Sequence, residues 1–168
     1  MKQNSNVIHG VEAKKSDSTI EQENKVRCLT LNLSGYKMLL PNVSVAEVTE
    51  LKNITPKSGA PEWFSGLMTW RDQDVPVVVF EKVMNEELPV PEKCSRVLIL
   101  NAPDNKDCSP FIALGCQSIP SLSLIDEERV AVSDIKGEQA THIKLDGENY
   151  IIPDISLLES MVSKVMAE

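Results

Sequence analysis

Two histidines, four cysteines and scattered acids are the side chains here with the means to do covalent or acid–base chemistry. A general base must be held within hydrogen-bond reach of the proton it takes, in a fixed geometry. His9 sits in a polar stretch that supplies no such frame. His142 stands beside Ile143 in a strand-like segment with no close acid or nucleophile, which reads as a packed or edge-strand imidazole. A thiol hydrolase using Cys116 and His142 can be written, because contacts in a fold need not be close in sequence. Against it, Cys116 ends an apolar run and reads as a small core residue. Cys28, Cys94, Cys108 and Cys116 lie 66, 14 and 8 positions apart, so there is no CxxC pair and no zinc-ribbon or thioredoxin-type site. Glu86, Glu87, Glu92, Asp104 and Asp107, and likewise Asp126-Glu127-Glu128, lack the DxDxDG order of a calcium loop and read as solvated acids. No GxSxG elbow, phosphate loop, GxGxxG or HExxH occurs. Neither a cofactor nor a metal is expected.

With nucleophiles and ligands set aside, the informative residues are those that make surfaces. Trp70 and Arg71 fall where a strand passes into a turn, so a guanidinium can project from a rigid base with a large indole beside it. Aromatic and Arg side chains are over-represented among binding hot spots. A second reading of the same residues has Trp70 filling a core and Arg71 paired with Asp72, Asp74 or Glu47.

The elements that must carry this turn are short β runs. Val26 to Leu33 alternates, turns at Ser34-Gly35 and returns through Tyr36 to Leu40, where Pro41-Asn42 stops it. A helical turn through Val43 to Val45 and a strand from Glu47 to Leu51 follow, then a loop marked by Pro56, Gly59 and Pro61. Gly66–Trp70, the turn 71–74 and Val75–Val79 read as strand, turn, strand, with a helical turn or two at Phe80–Met84. The same grammar recurs at Thr141–Leu145, Asp146-Gly147, Glu148–Ile152 and a helix after Pro153-Asp154. Two hairpin-plus-helix units predict two similar lobes. Between them lie strands at Arg96–Leu100 and Phe111–Cys116, a loop from Ala102 to Pro110 and an alternation from Ile119 to Ile125. Asn85–Glu92 reads as an extended acidic linker joining the lobes. Leu158, Met161, Val162 and Val165 fall on one face of the last helix, which should cover the open end of a lobe. Ser156 and Glu159 have capping-box spacing, with Asp154 as the rival cap.

The 168 residues carry a net charge of −8, which argues against nucleic acid and anionic membrane as partners. A chain of this length buries roughly 70% of its unfolded surface and needs no metal or disulfide staple. Residues 1–24 hold few apolar side chains without a sustained period and are expected to be a mobile tail, a short helix over Val7–Lys15 being the competing reading. Residues 25–168 form the folded domain. No apolar h-region follows Met1 and no run of 18 apolar residues occurs, so a cytoplasmic protein with reduced thiols is expected, with no direct membrane insertion.

Val45-x-Glu47-Val48, Ile54-Thr55-Pro56, Pro61-x-x-Phe64-x-Gly66-Leu67 and Arg71-x-x-x-Val75-Pro76-Val77-Val78 together resemble the CheW-like domain of bacterial chemosensory adaptors. The resemblance covers about Val26 to Val165. It departs from the family where an N-L-R-G stretch appears as Thr69-Trp70-Arg71-Asp72, and where the Asp expected after V-P-V is replaced at Val79-Phe80. It implies a mainly β fold of two intertwined five-stranded SH3-like barrel lobes with a hydrophobic core between them, a short internal helix and a C-terminal helix. It also implies a non-catalytic scaffold that bridges chemoreceptor cytoplasmic tips to the regulatory domain of a CheA-type histidine kinase, together with self-association in arrays. By position, Glu47 and Arg71 correspond to the family's interface acid and base, and Val45 and Gly66 to positions at or near the receptor-facing groove. Thr69, Trp70 and Asp72 flank them and complete the candidate partner-binding set. The altered N-L-R-G stretch and polar N-terminal extension resemble, more weakly, the ChpC-like or PilI-like adaptors of pilus-linked systems.

Overall fold

Period-2 alternation of apolar side chains writes twelve strands into this chain, and the computed structural model describes them within residues 25–85, 87–88, 94–104 and 108–168. The expected N-terminal tail, the competing Val7–Lys15 helix, linker positions 86 and 89–92, and loop positions 105–107 lie outside the described residues. In chain order the elements are β1 (Lys25–Leu33), β2 (Tyr36–Pro41), β3 (Val45–Glu50), β4 (Ile54–Thr55), β5 (Phe64–Trp70), β6 (Gln73–Val78), α1 (Phe80–Met84), β7 (Arg96–Asn101), β8 (Phe111–Cys116), β9 (Ser121–Asp126), β10 (Val130–Val132), β11 (Ala140–Leu145), β12 (Glu148–Pro153) and α2 (Ile155–Ala167). Short 3-10 turns occupy Asn42–Ser44 and Glu127–Arg129. The first of these stands one residue earlier than the helical turn expected at Val43–Val45.

The strands form two sheets, β10-β11-β12-β2-β1-β9 and β3-β7-β8-β6-β5-β4. We call these lobe 1 and lobe 2. Two repeats, β1 to α1 and β7 to α2, exchange their first hairpins: β1–β2 lie with β9–β12, and β7–β8 lie with β3–β6. That reciprocal exchange is the intertwining expected of the chain. It is sealed by two parallel contacts, β2 with β12 and β6 with β8, each at an equivalent place. Each sheet carries one short strand beyond five, β4 in lobe 2 and β10 in lobe 1.

Apolar burial is organised in three clusters. The largest lies between the lobes and joins Leu31, Met38 and Leu40 of lobe 1 to Phe64, Leu98 and Leu114 of lobe 2 and Phe80 of α1. Each large side chain buried there contributes roughly 1.5–3 kcal/mol. Lobe 2 has its own core around Met68, Trp70, Val75, Val97 and Ile99, and lobe 1 has one around Cys28, Leu39, Ile125, Ile143 and Leu145.

Helix α2 buries Leu158, Val162 and Val165, and half-buries Met161, against the cluster between the lobes. It therefore closes the joint between lobes, where the sequence pattern suggested the open end of one. Its N-cap is Asp154, whose carboxylate accepts the Leu157 N–H at 2.9 Å. The Ser156/Glu159 capping box does not form: Ser156 stands one residue inside the helix, exposed, and Glu159 is buried beside Asp104. Burial and the Asp104 charge push the Glu159 carboxyl above the usual range.

Candidate functional site

Hairpin β5–β6 closes on only two residues, Arg71 and Asp72, between the cross-strand pair Trp70 and Gln73. Both have positive φ, 48° and 61°, the conformation of a type I′ turn. Such turns match the twist of the flanking strands, but they favour Asn or Asp followed by Gly. Neither turn residue here is glycine, so the turn is held against a local preference costing on the order of 1–3 kcal/mol per residue.

Three contacts hold it. The Arg71 guanidinium carbon lies 4.6 Å from the Trp70 ring centroid, a cation–π placement. Arg71 Nη2 donates to Glu47 Oε2 at 2.6 Å, with side chains 69% and 32% exposed. Beneath them the Trp70 ring meets Phe111 edge-on at 4.9 Å. Glu47 is placed by a bulge in β3, where the pairing with β7 slips between Val45 and Glu47. Edge strand β3 is thereby clasped to the hairpin near the other edge of its sheet, which draws lobe 2 toward barrel closure. Thr69 Oγ1 donates to Asp74 Oδ1 at 3.2 Å across the same hairpin.

The structure thus brings Glu47, Thr69, Trp70, Arg71 and Asp72 together, with the guanidinium outward. Trp70 departs from the outward reading. It is 6% exposed and fills the lobe 2 core, because β5 alternation puts it on the same face as Met68. Its Nε1–H is buried with no hydrogen-bond partner among the described residues. Trp70 supports the guanidinium from below. Gly66 also lies inside: it is buried at φ 134°, at the β5 bulge opposite Val77, and a Cβ there would stand 2.3 Å from the Thr55 carbonyl oxygen. Its place is structural, letting β4 lie over β5. Val45 is half-buried against the cluster between the lobes.

Cys116 and His142 do not form a dyad. Cys116 ends β8 in lobe 2 and donates to the Arg96 carbonyl at 3.4 Å, whereas His142 lies in β11 of lobe 1. Burial, then the neighbouring Cys94, push the Cys116 thiol up to about 12, leaving almost no thiolate at neutral pH. Cys94 is likewise pushed up to about 11, chiefly by burial. Among the described residues no group of three or more His, Cys, Asp or Glu is placed to hold a metal ion, and no helix is long and apolar enough to cross a membrane.

Two features escaped the sequence reading. Glu81 in α1 is buried, its Oε1 receiving the Ser34 N–H and Gln117 Nε2, each at 3.4 Å, so it ties the β1–β2 turn of lobe 1 to lobe 2. Lys82, nearly buried, reaches Glu62 at 2.6 Å. Both stand in a five-residue helix too short for periodicity to reveal a buried face. The other feature is an apolar margin at Val43, Leu122 and Leu124, exposed at 85%, 64% and 53%. The Ile119–Ile125 alternation is the sequence signal that carries the two leucines.

Residues 27–161 match the family model of the CheW-like domain, and the chain belongs to that family. The chain is also similar to the crystal structure of the scaffolding protein TtCheW from Thermoanaerobacter tengcongensis, at a TM-score of 0.65 and 21% identity, over 79% of this chain and 86% of that one. No curated protein matches the sequence.

Proposed function

We propose that this chain is a non-catalytic, cytoplasmic adaptor that couples a chemoreceptor cytoplasmic tip to the regulatory domain of a CheA-type histidine kinase, with the Arg71–Glu47 pair and its turn as a docking point. The observation that carries this reading is the turn itself. Two non-glycine residues at positive φ carry one exposed guanidinium, stacked on an indole whose buried N–H has no partner among the described residues. Strain and unsatisfied polar groups persist where the surrounding structure imposes them, and they cluster at functional sites. Four of the five guanidinium N–H groups remain for a partner beyond the one given to Glu47. The partner's carboxylates or carbonyls would take them. Signal would pass by differential affinity: receptor states that bind the adaptor differently would shift how it holds the kinase. Family membership and the scaffolding neighbour support the same role. The altered turn supports a subgroup serving pilus-linked signalling, and self-association in arrays belongs to the same proposal.

Arg71→Glu tests it. Retention of a CheA-type regulatory-domain fragment or of a receptor-tip peptide should fall by about 30-fold, the size of a hot spot worth roughly 2 kcal/mol. The melting temperature should stay nearly constant, since exposed ion pairs contribute roughly 0–1 kcal/mol. Loss of one partner alone would identify an adaptor bound to that partner only. Unchanged binding of both, or a large fall in stability, would refute the docking role of Arg71.

A further inference from the structure

We infer that Asp146-Gly147, the turn of hairpin β11–β12, is the site at which this chain's backbone isomerises to isoaspartate, and that Arg129 guards it. Of the seven glycines, only Gly147 follows an Asp or an Asn. The reaction needs a side-chain carboxyl beside a backbone amide that nothing crowds, and glycine alone leaves that amide bare. Both residues stand at positive φ, the Asp146 side chain is 53% exposed, and a Cβ built on Gly147 would meet nothing within 4 Å. Among the described residues no backbone hydrogen bond engages the Gly147 N–H. A cyclic intermediate and the water that opens it both have room.

In the first step the Gly147 nitrogen attacks Asp146 Cγ; the carboxyl hydroxyl leaves as water with the amide proton, and a succinimide closes. Water then adds to one of the imide carbonyls and a C–N bond breaks. Opening on the side-chain side restores Asp146, whereas opening on the main-chain side leaves the chain running through Cβ and Cγ. The neutral carboxyl is the reactive form, because a carboxylate is a poor electrophile and has no proton to carry its oxygen away. Arg129 opposes each requirement. Its Nε donates to Asp146 Oδ1 at 2.9 Å and its Nη2 donates to Oδ2, so one planar fork holds both oxygens. Arg129 ends the 3-10 turn that leads into β10, and Val130 of β10 pairs with Leu145, so the fork reaches the turn from the neighbouring strand. It keeps the carboxyl ionised and turned away from Gly147.

Isoaspartate lengthens the backbone between Leu145 and Glu148 by one atom, which a two-residue turn cannot absorb without loss of that cross-strand pair. Glu148 holds Lys37 of β2 at 2.7 Å, and β12 meets β2 in parallel at Ile151 and Met38. Isomerisation therefore loosens the seam that joins the exchanged hairpin β1–β2 to lobe 1. The inference is independent of the Arg71 docking role.

Ageing the purified full chain at mildly acidic and at neutral pH tests it, with isoaspartate counted by enzymatic carboxyl methylation and located by peptide mapping. Arg129→Ala should gain isoaspartate at position 146 several-fold faster than the wild type. The difference should be larger at mildly acidic pH, where more of the freed carboxyl is neutral. Arg129→Lys keeps the charge without the fork and should fall between the two. Lys37→Ala removes a different ion pair of the same hairpin and leaves Arg129 in place, so it should age like the wild type. Equal ageing of wild type and Arg129→Ala would overturn the inference, and so would isoaspartate that maps away from position 146. A rise in Lys37→Ala as large as that in Arg129→Ala would overturn it too, since slackness of the turn rather than the guanidinium would then set the rate.

Discussion

Hairpins β5–β6 and β11–β12 occupy equivalent places in the two lobes and close in the same way, yet they differ in what their turns can bear. In lobe 1 the turn is Asp146-Gly147 at φ 53° and 83°, the residue pair that a type I′ turn prefers. In lobe 2 it is Arg71-Asp72, forced into the same conformation. The residue before each turn is a buried side chain of the lobe's own core, Leu145 in one and Trp70 in the other. Position one of the neighbouring strand follows suit: Phe111 packs edge-on against Trp70, while Tyr36 lines an open groove of about 670 Å³ with Lys37, Glu148 and Tyr150. Each lobe even has an Arg–carboxylate pair at its turn, but with the roles inverted. In lobe 1 the turn supplies the acid, Asp146, to Arg129; in lobe 2 the turn supplies the base, Arg71, to Glu47. One backbone solution thus serves a well-chosen turn and a strained one. The difference locates what lobe 2 retains at a stability cost, an outward guanidinium on an aromatic base.

The largest break in this comparison is Trp70→Ala. Removing a buried aromatic costs about 3–5 kcal/mol, read as a fall in the urea midpoint, and it should also release Arg71 from its stack. An effect under 1 kcal/mol would return the indole to the surface and dissolve the contrast with Leu145. Next in size is the exchange of turn chemistry. Gly147→Ala, at φ 83°, should destabilise by roughly 1–2 kcal/mol. Asp72→Gly should do the reverse, raising stability by about 0.5–1 kcal/mol as the strained position relaxes. If Asp72→Gly destabilises instead, the turn is not strained and the argument from strain to function falls. If it stabilises but weakens kinase or receptor retention, the Asp72 side chain takes part in docking.

Much of this was legible in the sequence because strand alternation and two-residue turns are local signals. Val26 to Leu40, the two hairpins and the face of α2 were readable from spacing alone, and the family resemblance supplied the intertwining. What local signals cannot carry is which face of a strand is inside when two cores compete. Trp70 sits at a turn, where an aromatic side chain can be hot spot or core; the parity it shares with Met68 on β5 decides for the core. Gly66 shows the same limit. The family resemblance puts it at or near a groove, and the neighbour that a side chain there would meet is the chain's own Thr55 carbonyl, brought there by the two-residue strand β4 inside an expected loop. At the start of α2 the sequence leaves two caps open, and the structure selects Asp154. Ser156 and Glu159 have capping-box spacing, but the helix begins at Ile155, so Ser156 is already inside it and the Asp154 carboxylate accepts the Leu157 N–H.

The smallest expected effect comes from the acid side of lobe 1. The hydrogen bond and charge of Arg129 hold the Asp146 carboxyl below its usual 3.8, and both side chains are about half exposed to water. A carboxyl depressed in the folded state adds stability that is complete above its unfolded value and disappears as pH falls through its folded value. Arg129→Ala returns Asp146 to the ordinary range, so wild type and variant should differ by a small constant amount above about pH 5 and converge on acidification below it. Salt should shrink the gap at neutral pH, because an exposed pair is screened over roughly a Debye length of 10 Å at 0.1 M. Thermal melts from pH 7 to pH 2 at two ionic strengths read both. A gap that stays constant down to pH 2 would mean that Arg129 acts by packing its aliphatic stem near the turn. Lobe 1 would then depend on contact rather than charge, and the inversion of acid and base between the two turns would be a coincidence of sequence.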